Sequence, residues 1–371
     1  MSKKHNGELD FLRMAFCFSV VVFHWSNCFN LEIMKYGNLS VEFFFILSGL
    51  FMAAHACREN REYTSGEGEA ASLHLAGRTW KFMIQKCKSF FAYYIAVFIL
   101  QVIIRYVLVN GVSIGTLIKN FINSIPTLSL TFMGLNYSHA SLYVGNTWYL
   151  SCMVIAMFLL YPMLLKFYDF STKYIFPLIS MFILGYMFNT YNSIAGWNEW
   201  CGFCSLGVLR AVAEIALGCS IYELSKVVRK KTDAIGHSLV FKISFTIVKI
   251  ALYAIVFIYM TGCVDGIRNL SILFIIALAV MMSYVGAGFT IPDSKFTRYL
   301  SKISLIIFIS HGFMRKIVED IMGEEATVSM LQFWGFVALS IILSVGIMYL
   351  VDFGKIGVGK IRQRICKNSD L

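Results

Sequence analysis

Apolar residues in this chain come in blocks of about 18–22, separated by polar connections, along nearly its whole length. A helix of that length crosses the hydrocarbon core of a membrane. We therefore predict an all-α integral membrane protein, with about ten transmembrane helices in a single bundle and one membrane domain over residues 1–371. The predicted spans are residues 10–29, 39–56, 89–109, 147–165, 174–191, 205–224, 241–261, 269–288, 299–317 and 331–352.

Composition and charge agree with this pattern and add an orientation. The 371 residues are 58% hydrophobic and only 14% charged, whereas soluble domains carry about 25% charged residues. Of the 32 Lys and Arg residues, 23 are assigned to the side of the N-terminus and 5 to the other side, and the remaining 4 lie within spans or at their edges. Because positive residues favour the cytoplasmic side, both termini are predicted to be cytoplasmic. The net charge of +11 then indicates contact with anionic membrane lipids, not with nucleic acid.

The first block carries two ionisable side chains, Arg13 and His24, which are costly to place in a membrane. Eleven residues rotate a helix by about 20° after whole turns and advance it by about 16 Å, so the two side chains share one face. Arg13 lies near the inner end, where it either extends to the membrane surface or serves a function. His24 lies deeper, so it is either a structural hydrogen-bonding group or a functional one.

The second block, SVEFFFILSGLFM, places Glu42 at a depth similar to that of His24. A carboxylate beside an imidazole fixes its tautomer, and an unpaired polar group is costly in a low dielectric. We therefore expect Glu42 and His24 to be in contact. Ser48 and Gly49 lie further along the same helix, where small residues allow either close helix packing or a narrow channel for a ligand.

Other polar groups gather at the outer depth of later blocks. Arg210 and Glu214, in LRAVAEIALG, are i,i+4 neighbours that could simply pair with each other. His311 lies in SKISLIIFISHGFM, and Trp148 begins a block at the outer surface, as an aromatic membrane anchor does. The single CxxC, at 201–204, lacks the second pair that zinc sites need, so no metal is expected.

Taken in order, these segments resemble the multi-pass membrane acyltransferases of the acyltransferase type 3 family, which include bacterial surface-polysaccharide O-acetyltransferases. FLRMAFCFSVVVFH is similar to the family's Arg-x10-His first helix, and SVEFFFILSGLFM to its GVDLFFVLSGFLI segment. KFMIQKCKSFFAYY resembles its basic segment, and NTWYLSCMVIAMFLLYPMLL its Trp-Tyr-Leu-Ser helix. LRAVAEIALG and KISLIIFISH resemble later segments, so the similarity extends from Asp10 to about His311.

The resemblance implies an O-acyltransferase in the bacterial cytoplasmic (inner) membrane. Its donor would be cytoplasmic acetyl-CoA, and its acceptor a hydroxyl of a cell-surface or lipid-linked glycan. Arg13, Lys86 and Lys88 would bind the phosphates of CoA, because cations pair strongly with phosphate, and Ser48 would lie along the donor's path. The basic segment departs from the family pattern, since Lys86, Lys88 and Ser89 stand where arginines are usual and Ala92 stands where proline is usual.

The resemblance also implies roles in the reaction. His24 would be the general base on the acceptor hydroxyl, and Glu42 would orient it and stabilise the imidazolium. Arg210 or His311 would stabilise the developing oxyanion or bind the acceptor, and Trp148 would stack on a sugar ring. Transfer could be direct or could pass through a transient acyl-histidine.

Two other functions stay open at this point. A transporter could use the buried His, Glu and Arg residues as a proton or anion site, although the chain shows no inverted repeat. A structural or sensory membrane protein would keep the packing motifs without needing both Arg13 and His24. We favour the acyltransferase because both residues are present.

Overall fold

The protein is helical almost throughout in the computed structural model, which describes residues 6–66, 73–130, 147–235, 238–264, 266, 268–323 and 327–369. The helices are α1 Gly7–Cys28, α2 Ser40–Ser65, α3 Leu75–Leu100, α4 Ile114–Asn123, α5 Thr147–Lys166, α6 Phe176–Tyr191, α7 Leu206–Ile235, α8 Leu239–Met260, α9 Asn269–Val285, α10 Lys295–Met322 and α11 Met330–Ser369. Shorter helical pieces are Gly37–Leu39, Gln101–Val109, Ile125–Leu128, Tyr168–Phe170 and Ser171–Ile175. Two short strands, β1 Trp200–Cys201 and β2 Cys204–Ser205, form an antiparallel hairpin before α7.

The all-α architecture is confirmed, and each of the ten predicted segments contains a helix. In the described part of the chain, seven helical segments are long and apolar enough to cross a membrane. They are Gly7–Cys28, Gly37–Ser65, Leu75–Arg105, Trp148–Lys166, Tyr168–Tyr191, Leu239–Met260 and Met330–Lys355. Of the other three, α9 has 17 residues, and α7 and α10 carry several charged side chains. Ten spans and two cytoplasmic termini therefore stay predictions, and residues 1–5, 131–146 and 370–371 lie outside the described residues.

Helices α2 and α7 approach each other backbone to backbone. A Cβ atom added to Gly49 would lie 2.0 Å from the carbonyl oxygen of Ile215, and one added to Gly218 would lie 2.1 Å from that of Ile46. Only a glycine hydrogen fits at such a contact. The Cys219 thiol also donates a hydrogen bond of 3.3 Å to the Gly49 carbonyl. Close packing, one of the two roles open to Gly49, is therefore what the structure contains.

Helix α1 lies beside α10 and runs in the same direction. Three contacts at a sequence separation of 287 or 288 join the two helices: Arg13 with Ser301, Cys17 with Ser304, and His24 with His311. The nearly constant separation means that one face of α1 follows α10 along its length. The predicted shared face of Arg13 and His24 is confirmed.

A buried ion pair fixes the start of α1. Lys249 Nζ of α8 lies 2.7 Å from Glu8 Oε2, and the Ser283 hydroxyl of α9 donates to Glu8 Oε1 at 2.6 Å. Both charged residues are buried, so each compensates the desolvation of the other. This contact holds α1, α8 and α9 together. We call the end that carries Gly7 the inner end and the opposite end the outer end, following the predicted orientation.

Candidate active site

Two cavities lie along the α1–α10 pair, one toward each end of the bundle. The outer cavity has a volume of about 560 Å³ and the inner one about 410 Å³. Six of the predicted site residues line them: His24, Trp148 and Arg210 the outer cavity, and Arg13, Ser48 and Lys86 the inner one. The structure thus separates the predicted acceptor residues from most of the predicted donor residues.

A pair of imidazoles lies beside the outer cavity. The ring centroids of His24 and His311 are 5.2 Å apart, and His311 is fully buried. His311 Nδ1 lies 2.9 Å from the carbonyl oxygen of Ile307. A carbonyl oxygen can only accept, so Nδ1 of His311 carries the proton and, in the neutral ring, Nε2 is the acceptor.

The predicted contact between Glu42 and His24 is wrong, because Glu42 pairs with Arg210. Arg210 Nη2 lies 2.5 Å from Glu42 Oε2. The two groups form an ion pair, but these atoms are not aligned as donor and acceptor of a hydrogen bond. Arg210 Nε also donates to Glu214 Oε1 at 3.3 Å, which confirms the i,i+4 pair. All three side chains are at most 1% exposed. A guanidinium keeps its full charge at any depth, so it compensates a buried carboxylate better than a neutral imidazole does.

Aromatic rings form one wall of the outer cavity. Trp148 and Trp197 stack with centroids 5.5 Å apart, and the Arg210 guanidinium lies 5.7 Å from the Trp148 ring. Trp148 is only 8% exposed, so it lines the cavity and is not a surface anchor. Asn38 and Asn198 contribute polar side chains to the same cavity. Trp197 was missed from the sequence because the connection before α7 carries no periodic signal.

Four basic residues line the inner cavity: Arg13, Lys86, Arg298 and Lys302. In the sequence, Arg298 and Lys302 count only toward the charge asymmetry of the connections. Their i,i+4 spacing, which puts both on one face of α10, was a signal that could have identified them. Each also has a carboxylate partner, Asp293 for Arg298 at 2.5 Å and Asp352 for Lys302.

Arg13 is held in the wall of the inner cavity. Its Nη1 donates to Ser301 Oγ at 2.8 Å and to Asp10 Oδ1 at 3.1 Å, and its guanidinium lies 5.1 Å from the Phe51 ring. About a third of the side chain stays exposed, 30%. Arg13 therefore presents a positioned cation to the cavity, instead of extending freely to the membrane surface.

Ser48 and Lys88 occupy different surroundings. Ser48 lines the inner cavity, and its Oγ lies 3.5 Å from the Tyr149 hydroxyl oxygen. Lys88 is exposed on α3 and is not among the described residues that line the cavity. Two residues on a helix differ by about 200° in direction, so Lys88 points away when Lys86 faces the cavity. Lys88 therefore does not line the inner cavity with Lys86 and Arg13, contrary to the predicted grouping.

The family assignment follows from a comparison with known proteins. A family model described as an acyltransferase domain, Acyl_transf_3, matches residues 6–352. No curated protein and no solved structure matches the chain. The match includes every segment that carried the resemblance in the sequence, and among the described residues no group of three His, Cys, Asp or Glu side chains could hold a metal ion. Because the match covers nearly the whole chain, this membrane protein belongs to the Acyl_transf_3 family of acyltransferases.

Proposed function

We propose that this protein transfers an acetyl group from cytoplasmic acetyl-CoA to a hydroxyl of a cell-surface or lipid-linked glycan. The observation that carries the proposal is that two different cavities lie along the α1–α10 pair. The cavity at the inner end is basic, and the cavity at the outer end contains aromatic rings and an imidazole. A reaction between an anionic donor and a sugar acceptor on opposite sides of a membrane needs this division. The proposed location is the bacterial cytoplasmic membrane.

The inner cavity supports a donor that carries phosphates. CoA has its phosphates at one end and a thin pantetheine arm at the other. Arg13, Lys86, Arg298 and Lys302 surround the inner cavity, and cations bind phosphate oxygens through charge-assisted hydrogen bonds. With the nucleotide at these residues, the arm runs outward past Ser48 toward His24. The separation of about 16 Å between Arg13 and His24 is comparable to the length of that arm.

The proposed reaction is a direct transfer. The acceptor hydroxyl gives its proton to His24 while its oxygen attacks the thioester carbonyl and a carbon–oxygen bond forms. The tetrahedral intermediate then loses the thiolate as the carbon–sulfur bond breaks. The His24 imidazolium returns the proton to the thiolate, which leaves as CoA, so the step consumes no net proton.

The roles proposed for the neighbours of His24 change with their contacts. Glu42 positions Arg210, which lines the outer cavity, and does not orient His24 directly. His311 carries its proton toward Ile307, so the neutral ring accepts a hydrogen bond at Nε2 and does not donate one to an oxyanion. Because His311 is fully buried beside His24 and is not among the described residues that line either cavity, we propose that it supports the His24 ring and binds neither the acceptor nor the developing negative charge.

The outer cavity supports a sugar as the acceptor. Sugar rings present C–H faces that pack on aromatic rings, and the Trp148–Trp197 stack offers such a surface. Asn38 and Asn198 line the same cavity, and their amides can exchange hydrogen bonds with hydroxyl groups. The transporter that the buried charges also suggested is not favoured by the family match.

The proposal is tested by acetyl transfer from radiolabelled acetyl-CoA in membranes that contain the wild-type chain, with the host's glycan lipids as acceptor. His24→Ala is expected to abolish transfer while CoA binding and membrane insertion are kept. His74→Ala is the matched control, since His74 is exposed at the start of α3 and lines neither cavity. Its transfer rate should equal that of the wild type.

The outcomes separate the parts of the proposal. Label in the glycan with the wild type and His74→Ala, but not with His24→Ala, supports both the reaction and the base. Full transfer by His24→Ala contradicts the mechanism. Wild-type membranes that bind CoA but transfer no label would contradict the acceptor class, and membranes that do neither would contradict the donor.

A further inference from the structure

We propose that Phe308 is the partition between the donor and acceptor cavities and limits the length of the acyl group that is transferred. This inference rests on the proposed function. Phe308 is the one described residue that lines both cavities. It lies on α10, one turn before His311, and only 6% of it is exposed. A buried ring shared by two cavities is a wall between them.

Aromatic contacts from two other helices hold this wall in place. The Phe308 ring lies 5.6 Å from Phe44 of α2 and 5.1 Å from Tyr149 of α5, centroid to centroid. Tyr149 meets Phe308 nearly edge-on at 67° and packs 4.5 Å from Phe45. Such arrangements fix a ring more tightly than aliphatic packing does. The position of Phe308 is therefore set by the fold.

The partition lies on the path that the thioester must take. Arg13 and Lys86 line the cavity on one side of Phe308, and His24 lines the cavity on the other. The Phe308 centroid is 6.0 Å from that of His311, which contacts His24. A thioester that reaches His24 therefore places its acyl group against the Phe308 ring. An acetyl group needs little space there, whereas each further methylene must displace the ring.

The same wall limits the access of water. While Phe308 separates the cavities, water in the outer cavity reaches a thioester on the inner side of the ring poorly. Removing the ring joins the cavities and gives water a path to the carbonyl. Two measurable properties, acyl-chain preference and donor hydrolysis without acceptor, should thus depend on this one side chain.

The test compares purified wild-type protein, Phe308→Ala and Phe313→Ala with acetyl-CoA and butyryl-CoA as donors. Phe313 lies on the same helix, is 2% exposed and lines neither cavity, so it is a matched loss of a buried phenyl ring. Phe308→Ala is expected to raise the butyryl-to-acetyl ratio of kcat/KM by about tenfold or more, since one methylene changes such ratios by about 10- to 200-fold. It should also raise acetyl-CoA hydrolysis. Phe313→Ala should change neither.

Phe308→Leu keeps an apolar side chain, so it should raise the butyryl-to-acetyl ratio by less than Phe308→Ala does. It replaces the alanine variant in the test if that variant does not fold. If the wild type transfers acetyl groups but the folded Phe308 variants keep the wild-type butyryl-to-acetyl ratio, the role of Phe308 as a partition is overturned. The proposed function would then still stand. An equal shift in Phe313→Ala would overturn it too, because general loosening would then be the cause. Wild-type protein that transfers neither acyl group would overturn the proposed function and this inference with it.

Discussion

Among single residues, Arg210 is the one that determines the partner of Glu42. Two carboxylates buried without a cation would each cost several kcal/mol, by order of magnitude, and Arg210 compensates both Glu42 and Glu214. The i,i+4 spacing identified one of these partners from the sequence. The other could not be identified, because it depends on α2 packing against α7 and not on any spacing along the chain.

Because Glu42 does not contact His24, Glu42→Gln is expected to reduce transfer far less than His24→Ala. Arg210 keeps Glu214 as its counter-ion in this variant, and glutamine keeps the shape of the side chain. We expect kcat within about tenfold of the wild type, whereas the loss of a general base costs about 10²- to 10⁴-fold. The measurement is acetyl transfer at equal amounts of folded protein. A Glu42→Gln protein as inactive as His24→Ala, with an unchanged Tm, would argue for a direct contact with His24.

Arg13→Ala is expected to weaken donor binding and to leave the chemical step nearly unchanged. The guanidinium lies in the wall of the inner cavity, about 16 Å along α1 from His24. A hydrogen bond to a charged group contributes about 1.5–3 kcal/mol, so KM for acetyl-CoA should rise by about 10- to 150-fold. Lys88→Ala is the control and should change KM by less than about threefold, by the small cost of exposed substitutions. A larger effect from Lys88 than from Arg13 would contradict this donor geometry.

At the scale of helices, the crossing of α2 and α7 sets the position of the buried charges. Glu42 lies seven residues before Gly49, and Arg210 lies eight before Gly218, so both are about two turns from the close contact. Because the two helices run in the same direction, the contact at the glycines brings the charged residues together. Gly49 and Gly218 therefore affect the site indirectly, because they set the separation between the axes of α2 and α7.

Gly49→Ala is accordingly expected to destabilise the protein and to reduce transfer. Its Cβ would lie 2.0 Å from a backbone carbonyl oxygen, which cannot move without separating the helices. Overpacking of this kind costs about 1–3 kcal/mol, and thermal unfolding in detergent measures it. Gly185→Ala on α6 is the control, since a Cβ there meets nothing within 4 Å and alanine favours a helix. Equal stability of the two variants would contradict a tight crossing.

The sequence predicted the helices better than it predicted their contacts. Hydropathy located a helix in every predicted span, because the hydrophobicity of a segment is a property of that segment alone. Helical spacing correctly gave the shared face of Arg13 and His24 and the Arg210–Glu214 pair. It did not identify the partner of Glu42, was not applied to Lys88, and did not identify Phe308. The first and last of these depend on how separate helices pack, and an apolar ring among many carries no chemical signal. Lys88 was grouped with Lys86 by composition, although their spacing already directs them to different faces.

At the scale of the whole molecule, the two cavities match the charge asymmetry of the connections. The cavity that carries Arg13, Lys86, Arg298 and Lys302 lies at the end where basic connections are concentrated. The same excess of positive charge that orients a membrane protein can thus attract an anionic donor to its cytoplasmic face. The proposed reaction needs the donor cavity on the cytoplasmic face and the acceptor cavity on the outer face, so it depends on the predicted orientation.

Labelling of Cys263 tests that orientation directly. Cys263 is exposed in the connection after α8, which the predicted topology puts on the outer side. A membrane-impermeant maleimide should therefore label Cys263 in intact spheroplasts, and peptide mass spectrometry identifies the labelled residue. Lys230→Cys, in a Cys263→Ser chain, places a thiol at an exposed position near the inner end of α7 and should react only after permeabilisation. The reverse pattern would put the basic cavity on the outer side, where cytoplasmic acetyl-CoA does not reach it, and would contradict the division of donor and acceptor on which the proposed reaction depends.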